Sequence, residues 1–132
     1  MEENKSQIII YQTENGDTKL DVRFQDETVW LTQKLIAELF QTSVPNVNMH
    51  LKNIFEEGEL EENRTIKEFL IVQQEGNREI KRKQVFYNLD AIISVGYLIK
   101  SHVATKFKQW AITGQTAAEI ISQRADSPKE NI

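Results

Sequence analysis

Residues 32–55 read TQKLIAELFQTSVPNVNMHLKNIF. Leu35, Ile36, Leu39 and Phe40 recur at helical spacing, and Thr32 stands where a side-chain oxygen caps a first turn. Leu31 and Ile36 flank that cap at the spacing of a hydrophobic staple. The pattern breaks at Gln41-Thr42-Ser43. Ser43 can cap a second helix, and Pro45 is tolerated in its first turn because backbone donors there have no intrahelical partner. On this helix Val44, Val47, Leu51 and Ile54 form one apolar stripe, while Pro45, Asn46, Asn48, Met49, Lys52 and Asn53 turn to the other side. Neither helix is long enough to be stable alone, so each is expected to bury its stripe against the other.

Two short helices across a tight turn are the helix-turn-helix arrangement, whose second helix enters the major groove by its N-terminal residues. Ala37-Glu-Leu-Phe-Gln-Thr-Ser-Val-Pro-Asn-Val-Asn-Met-His-Leu51 resembles bacterial repressor motifs position by position. Ala37 lets the helices approach, Phe40, Val47 and Leu51 supply a shared core, and Gln41 stands where those motifs favour glycine. Ser43, Pro45, Asn46, Asn48, Met49 and Lys52 are thereby candidate DNA contacts. The Asn46 and Asn48 amides suit adenine N6 and N7, Met49 a thymine methyl, and Lys52 a phosphate. The alternative is a helical hairpin without a ligand, its asparagines serving as polar surface or caps.

Upstream, Ile8 to Gln12, a turn at Asn15-Gly16, and Leu20, Val22 and Phe24 alternating with Lys19, Asp21 and Arg23 predict a β-hairpin with one wet face. Val29-Trp30-Leu31 adds a brief third strand. Downstream, the acidic run Glu56-Glu-Gly-Glu-Leu-Glu-Glu62 would repel phosphate and should point away from a duplex. Ile66 to Gln73, the turn Glu75-Gly-Asn-Arg78 and Val85-Phe-Tyr87 predict a second, wing-like hairpin bearing Arg78, Lys81, Arg82 and Lys83. Those four bases suit neighbouring phosphates, or equally a solvated edge whose charge prevents aggregation. Asn88 caps a third helix with the stripe Leu89, Ile92, Val95 and Ile99, and Ser101 or His102 opens a fourth with Ala104, Phe107, Trp110 and Ala111 inward. Ala117 to Gln123 is weakly helical, and Asp126 to Ile132 reads as a frayed end. The expected fold is α+β: an N-terminal β-hairpin, a helix-turn-helix, a wing-like hairpin, then two or three C-terminal helices. Residues 1–112 form the winged-helix domain and 113–132 a short helical tail.

With 39% hydrophobic and 27% charged residues, the 132-residue chain has the composition of a packed domain. The net charge of −4 argues against nucleic acid only if charge is spread evenly, and it is not. Residues 1–30 hold seven acids against three bases, whereas residues 64–108 hold nine bases against four acids. No run is long and apolar enough for a membrane span, the start lacks the features of a signal peptide, and cysteine is absent, so a cytoplasmic protein is expected. Two histidines, His50 and His102, no phosphate-cradling glycine motif and no nucleophile in a recognised setting point away from an enzyme, a metal or a cofactor.

Lys19-Leu-Asp-Val-Arg-Phe24, Glu27-Thr-Val-Trp-Leu-Thr-Gln33, Asn53-Ile-Phe-Glu-Glu-Gly-Glu-Leu60 and Tyr87-Asn-Leu-Asp-Ala-Ile-Ile-Ser-Val-Gly-Tyr97 together resemble the virulence-associated RhuM family of bacteria. The likeness covers about residues 7–111. It implies a DNA-binding regulator, sometimes associated with Fic/Doc-type modules. The family usually has an arginine and a glycine where this chain has Val103 and Ala104. Thr113 to Ile120 and Arg124 to Asp126 are similar to a later family segment, as in a shortened form. The expectation is thus a transcription regulator binding double-stranded DNA, with a homodimer suggested by the paired half-sites that most such proteins read. A protein-binding adaptor, for example for a Fic/Doc-type partner, is the competing reading, and an exposed apolar patch around Trp30, Phe55 or Trp110 would favour it.

Overall fold

The computed structural model describes residues 6–13, 16 and 18–113. β1 (Gln7–Gln12), β2 (Lys19–Gln25) and β3 (Thr28–Leu31) precede α1 (Gln33–Phe40), α2 (Val44–Glu56) and a single turn, α3 (Glu62–Thr65). Then come β4 (Ile66–Glu75), β5 (Arg78–Asn88), α4 (Leu89–Leu98) and α5, a helix over 103–113. The α+β expectation therefore holds, with two helices after the second hairpin. The tail beyond residue 113, including the weak helix expected at Ala117 to Gln123, lies outside the described residues.

The strands form one antiparallel sheet in the order β1-β2-β3-β5-β4. Alternation sorts its two faces: on β2, Leu20 and Val22 are buried while Lys19 and Asp21 are exposed. The helices cover the face that carries Tyr11, Leu20, Val22, Val29, Leu31 and Tyr87, and the main core lies between. Trp110 packs there at 4.9 Å from the Tyr11 ring, as a core residue. On the opposite face Trp30, Phe69 and Phe86 form a second, smaller cluster. The Arg23 guanidinium lies 4.8 Å and 5.3 Å from the Phe69 and Phe86 ring centres, and burial pushes its pKa below the usual value.

Connections follow from local backbone chemistry. Asp26 and Glu27 both have positive φ, 56° and 63°, which matches the twist of a two-residue hairpin turn between β2 and β3. Gly76, at φ 63°, opens the turn between β4 and β5. Asn88 caps α4 by accepting from the Ala91 N–H, and the Ser101 hydroxyl accepts from Val103, which settles the two openings foreseen for α5 in favour of Ser101. Where α1, α4 and α5 meet, Gly96 has no room for a side chain: a methyl there would sit 2.7 Å from both Ala104 Cβ and Phe40 Cζ.

One local expectation needs correction. Val44, assigned to the buried stripe of α2, is 40% exposed, because as the first helical residue it precedes the point where α2 meets α1. After the acidic run a single turn, α3, begins at Glu62 and precedes β4; in it the buried Thr65 hydroxyl donates to Glu61 O at 2.6 Å, a backbone-competing bond.

Candidate nucleic-acid interface

The unit α1–turn–α2 is held by its own side chains. Thr32 Oγ1 accepts from the Leu35 N–H at 3.2 Å, and Leu31 and Ile36 are both fully buried beside that cap. Gln41 takes the left-handed conformation, φ 58° and ψ 50°, that a glycine would adopt without strain. Its amide donates to Glu38 O and to Thr18 Oγ1, both at 2.9 Å, so the side chain that makes the conformation costly also ties the turn to the sheet. Ser43 Oγ accepts from the Asn46 N–H, and Asn46 Nδ2 donates to Thr42 Oγ1 at 2.8 Å. Asn46 therefore spends its amide on the helix start.

Val47, Leu51 and Ile54 are buried, and rotation by one helical face brings Pro45, Asn48, Met49, Lys52, Asn53 and Glu56 together along a shallow groove. No acid lies in the first turn of α2, so the positive end of its macrodipole is unopposed there. Asn48 is not a free surface amide. Gln33, the first residue of α1, donates from Nε2 to Asn48 Oδ1 at 3.1 Å and to the Tyr87 hydroxyl at 3.0 Å. The Tyr87 side chain is itself buried against the main core. The chain of contacts from Tyr87 through Gln33 orients the Asn48 carbonyl inward and leaves its amide donors toward the groove.

β4 and β5 extend beyond the rest of the sheet. β3 pairs with β5 only at Trp30↔Asn88 and Leu31↔Tyr87, so among the described residues β4 and β5 pair only with each other from Phe86 outward. At about 3.3 Å per residue this arm reaches on the order of 27 Å. Residues two apart on a strand share a face, so Lys83 and Lys81 project on the same side as Tyr87, which is the helix side. Arg78 and Arg82 project on the other side, where Arg82 pairs with Glu75 at 2.8 Å. The four bases grouped together in sequence are thus divided by strand alternation into two pairs, and one pair, Lys81 and Lys83, lies on the helix side of the sheet.

Sequence reasoning found Ser43, Pro45, Asn46, Asn48, Met49 and Lys52 on one helix, and the helix carries them on or next to one face. It did not find Gln33 or Tyr87, whose roles depend on contacts 15 and 54 residues apart in the chain. A polar residue at the first position of α1 was the sole local signal. His50 is half-buried beside the apolar stripe, and among the described residues no three His, Asp or Glu side chains come together in a way that could hold a metal ion. Among the described residues, no helix is long and apolar enough to cross a membrane. Of the three aromatic residues that an adaptor patch would expose, Trp30 is buried and Phe55 and Trp110 are partly so, packed against the main core.

No curated protein and no solved structure matches the chain. Residues 64–113 match a family model, and they hold the end of α3, both strands of the arm, α4 and α5, whereas α1 and α2 lie outside the match. The family model that this segment matches is that of the virulence protein RhuM family.

Proposed function

We propose that the protein binds duplex DNA, with α2 in the major groove and the arm over the adjoining phosphates, as a transcription regulator would. The observation that carries this reading is the alignment of α2 and the arm on one side of the sheet: Asn48 is tied through Gln33 to Tyr87, and Lys83 and Lys81 continue outward from Tyr87 on the same face. In this reading Asn48 reads a base edge, Met49 meets an apolar group, and Lys52, Lys81 and Lys83 bind phosphate. Arg78 and Arg82 face away and contribute little. The acidic residues between Glu56 and Glu62 follow the C-terminal end of α2, remote from the end that enters the groove.

The test is fluorescence anisotropy on genomic duplex fragments over a salt series. Affinity should fall as salt rises, and Lys52→Ala and Lys83→Ala should each reduce the slope of log affinity against log salt by about one. Asn48→Ala should weaken selected sequences by about 1–3 kcal/mol with little change of slope. No binding at low salt by folded protein would exclude the reading and leave the adaptor alternative.

A further inference from the structure

We infer that the outer edge of β4 is an interface between two copies of this chain, which join antiparallel through that strand into one continuous sheet. β4 is the last strand of the sheet and runs for ten residues. Its middle, Phe69-Leu-Ile-Val-Gln-Gln74, carries no charge, and Leu70 and Val72 are 55% and 52% exposed. The devices that usually blunt an edge, a proline or a lysine at its centre, are absent from that segment.

The register follows from the hairpin turn. Gly76-Asn77 is a two-residue turn, so Glu75 and Arg78 form a hydrogen-bonded pair, and alternate residues of β4 behave likewise. Phe69, Ile71 and Gln73 then direct their backbone groups to β5, while Glu68, Leu70, Val72 and Gln74 direct theirs to the open edge. A two-fold pairing must oppose outward residues to outward residues. One such register places Ile71 opposite Ile71 of the second copy, Leu70 opposite Val72, Glu68 opposite Gln74, and Lys67 opposite Glu75. Both exposed apolar residues then meet apolar partners and both Lys67–Glu75 pairs are of opposite sign, each repeated by the symmetry. Moving the centre to Leu70 opposes Lys67 to Gln73 and Val72 to Glu68. Moving it to Val72 opposes Phe69 to Glu75. Each shift loses the apolar match at one of the two residues and the charge match altogether, so the sequence of β4 is complementary to itself in the first register.

The chain contains no cysteine, so a single introduced thiol reports its own distance across the axis. In sedimentation velocity over a wide concentration range, the wild type should show a reversible monomer–dimer equilibrium, and Val72→Lys should move it toward monomer by at least tenfold. Under mild oxidation Ile71→Cys should form a disulfide-linked dimer, because two non-hydrogen-bonded residues directly opposite have Cα atoms about 4.5 Å apart. Gln73→Cys should not, since its copies would lie about 14 Å apart along the strands. A wild type that stays monomeric, a dimer indifferent to Val72→Lys, or cross-linking at 73 in preference to 71 would each overturn the inference. Circular dichroism checks that both cysteine variants fold. Because Val72 is exposed, its substitution decides the matter even if Ile71→Cys disturbs packing against Phe69.

Discussion

Substituting Gly96 by alanine tests the packing that sets the position of α1. The added methyl would meet Ala104 Cβ and Phe40 Cζ at 2.7 Å and Phe40 Cε1 at 3.0 Å. Ala104 is fully buried and its Cβ is fixed to the α5 backbone, so relief must come from Phe40 or from separation of α4 and α5. Overpacking of this kind costs about 1–3 kcal/mol, contact with a backbone-fixed Cβ at 2.7 Å puts this site at about 2–3 kcal/mol, and the higher helix propensity of alanine returns about 1 kcal/mol. The net expectation is a loss of about 1–2 kcal/mol. With a slope of about 2 kcal/mol per molar urea, the unfolding midpoint should fall by about 0.5–1 M while the slope stays unchanged. Ala104→Gly removes one of the three obstructing atoms, so the double variant should be more stable than the sum of the single effects predicts. Phe40 is the last residue of α1 and adjoins the turn, so DNA affinity should fall along with stability. A Gly96→Ala protein as stable as wild type would refute the close three-helix junction.

Other predictions rest on caps, turns and the Tyr87 contact. Tyr87→Phe removes the hydroxyl that accepts from Gln33 and should cost about 1 kcal/mol by urea titration; base preference at the position read by Asn48 should broaden without change in salt slope. Thr32→Ala and Ser43→Ala should each lose about 1 kcal/mol, since each deletes an oxygen that accepts from a first-turn N–H. Glu27→Gly should raise stability by about 0.5 kcal/mol, because glycine relieves a positive φ at a cost in unfolded-chain entropy smaller than the relief; calorimetry showing a lower Tm would contradict the strain assigned to that turn.

The helix-turn-helix was legible because its information is local. Thr32 and Ser43 are caps a few residues from the donors they satisfy, and the stripe Val47, Leu51, Ile54 states its period within three turns. Val44 shows the limit: periodicity gives a side but not how far along the helix that side is covered. The turn at Asp26-Glu27 was illegible because no glycine marks it and Glu27 does not favour positive φ; the pairing of β2 with β3 imposes it. The same holds for Arg23, read from sequence only as a solvent-facing member of β2, whose neighbours Phe69 and Phe86 come from the distant hairpin. The basic hairpin was visible as composition. Its division into Lys81 and Lys83 on one side and Arg78 and Arg82 on the other needed the strand register, which composition does not contain.

The proposed DNA contact and the proposed pairing of two copies use orthogonal directions of one arm. Lys81 and Lys83 project normal to the sheet, whereas the open backbone groups of β4 lie in its plane, so neither use obstructs the other. Residues directly opposite in an antiparallel pair also point to the same face. A sheet continued through β4 therefore keeps both helix layers, and both sets of Asn48, Lys52, Lys81 and Lys83, on one side. That is the disposition a two-fold reader of paired half-sites requires. Linkage then makes a specific demand: Val72→Lys should weaken binding to a duplex with two half-sites while causing no loss of affinity for a single half-site, because each copy still reads its own site and the added lysine faces the same side as Lys81. Equal losses on both duplexes would show that the edge of β4 itself touches DNA, and no loss on either would show that the copies act independently.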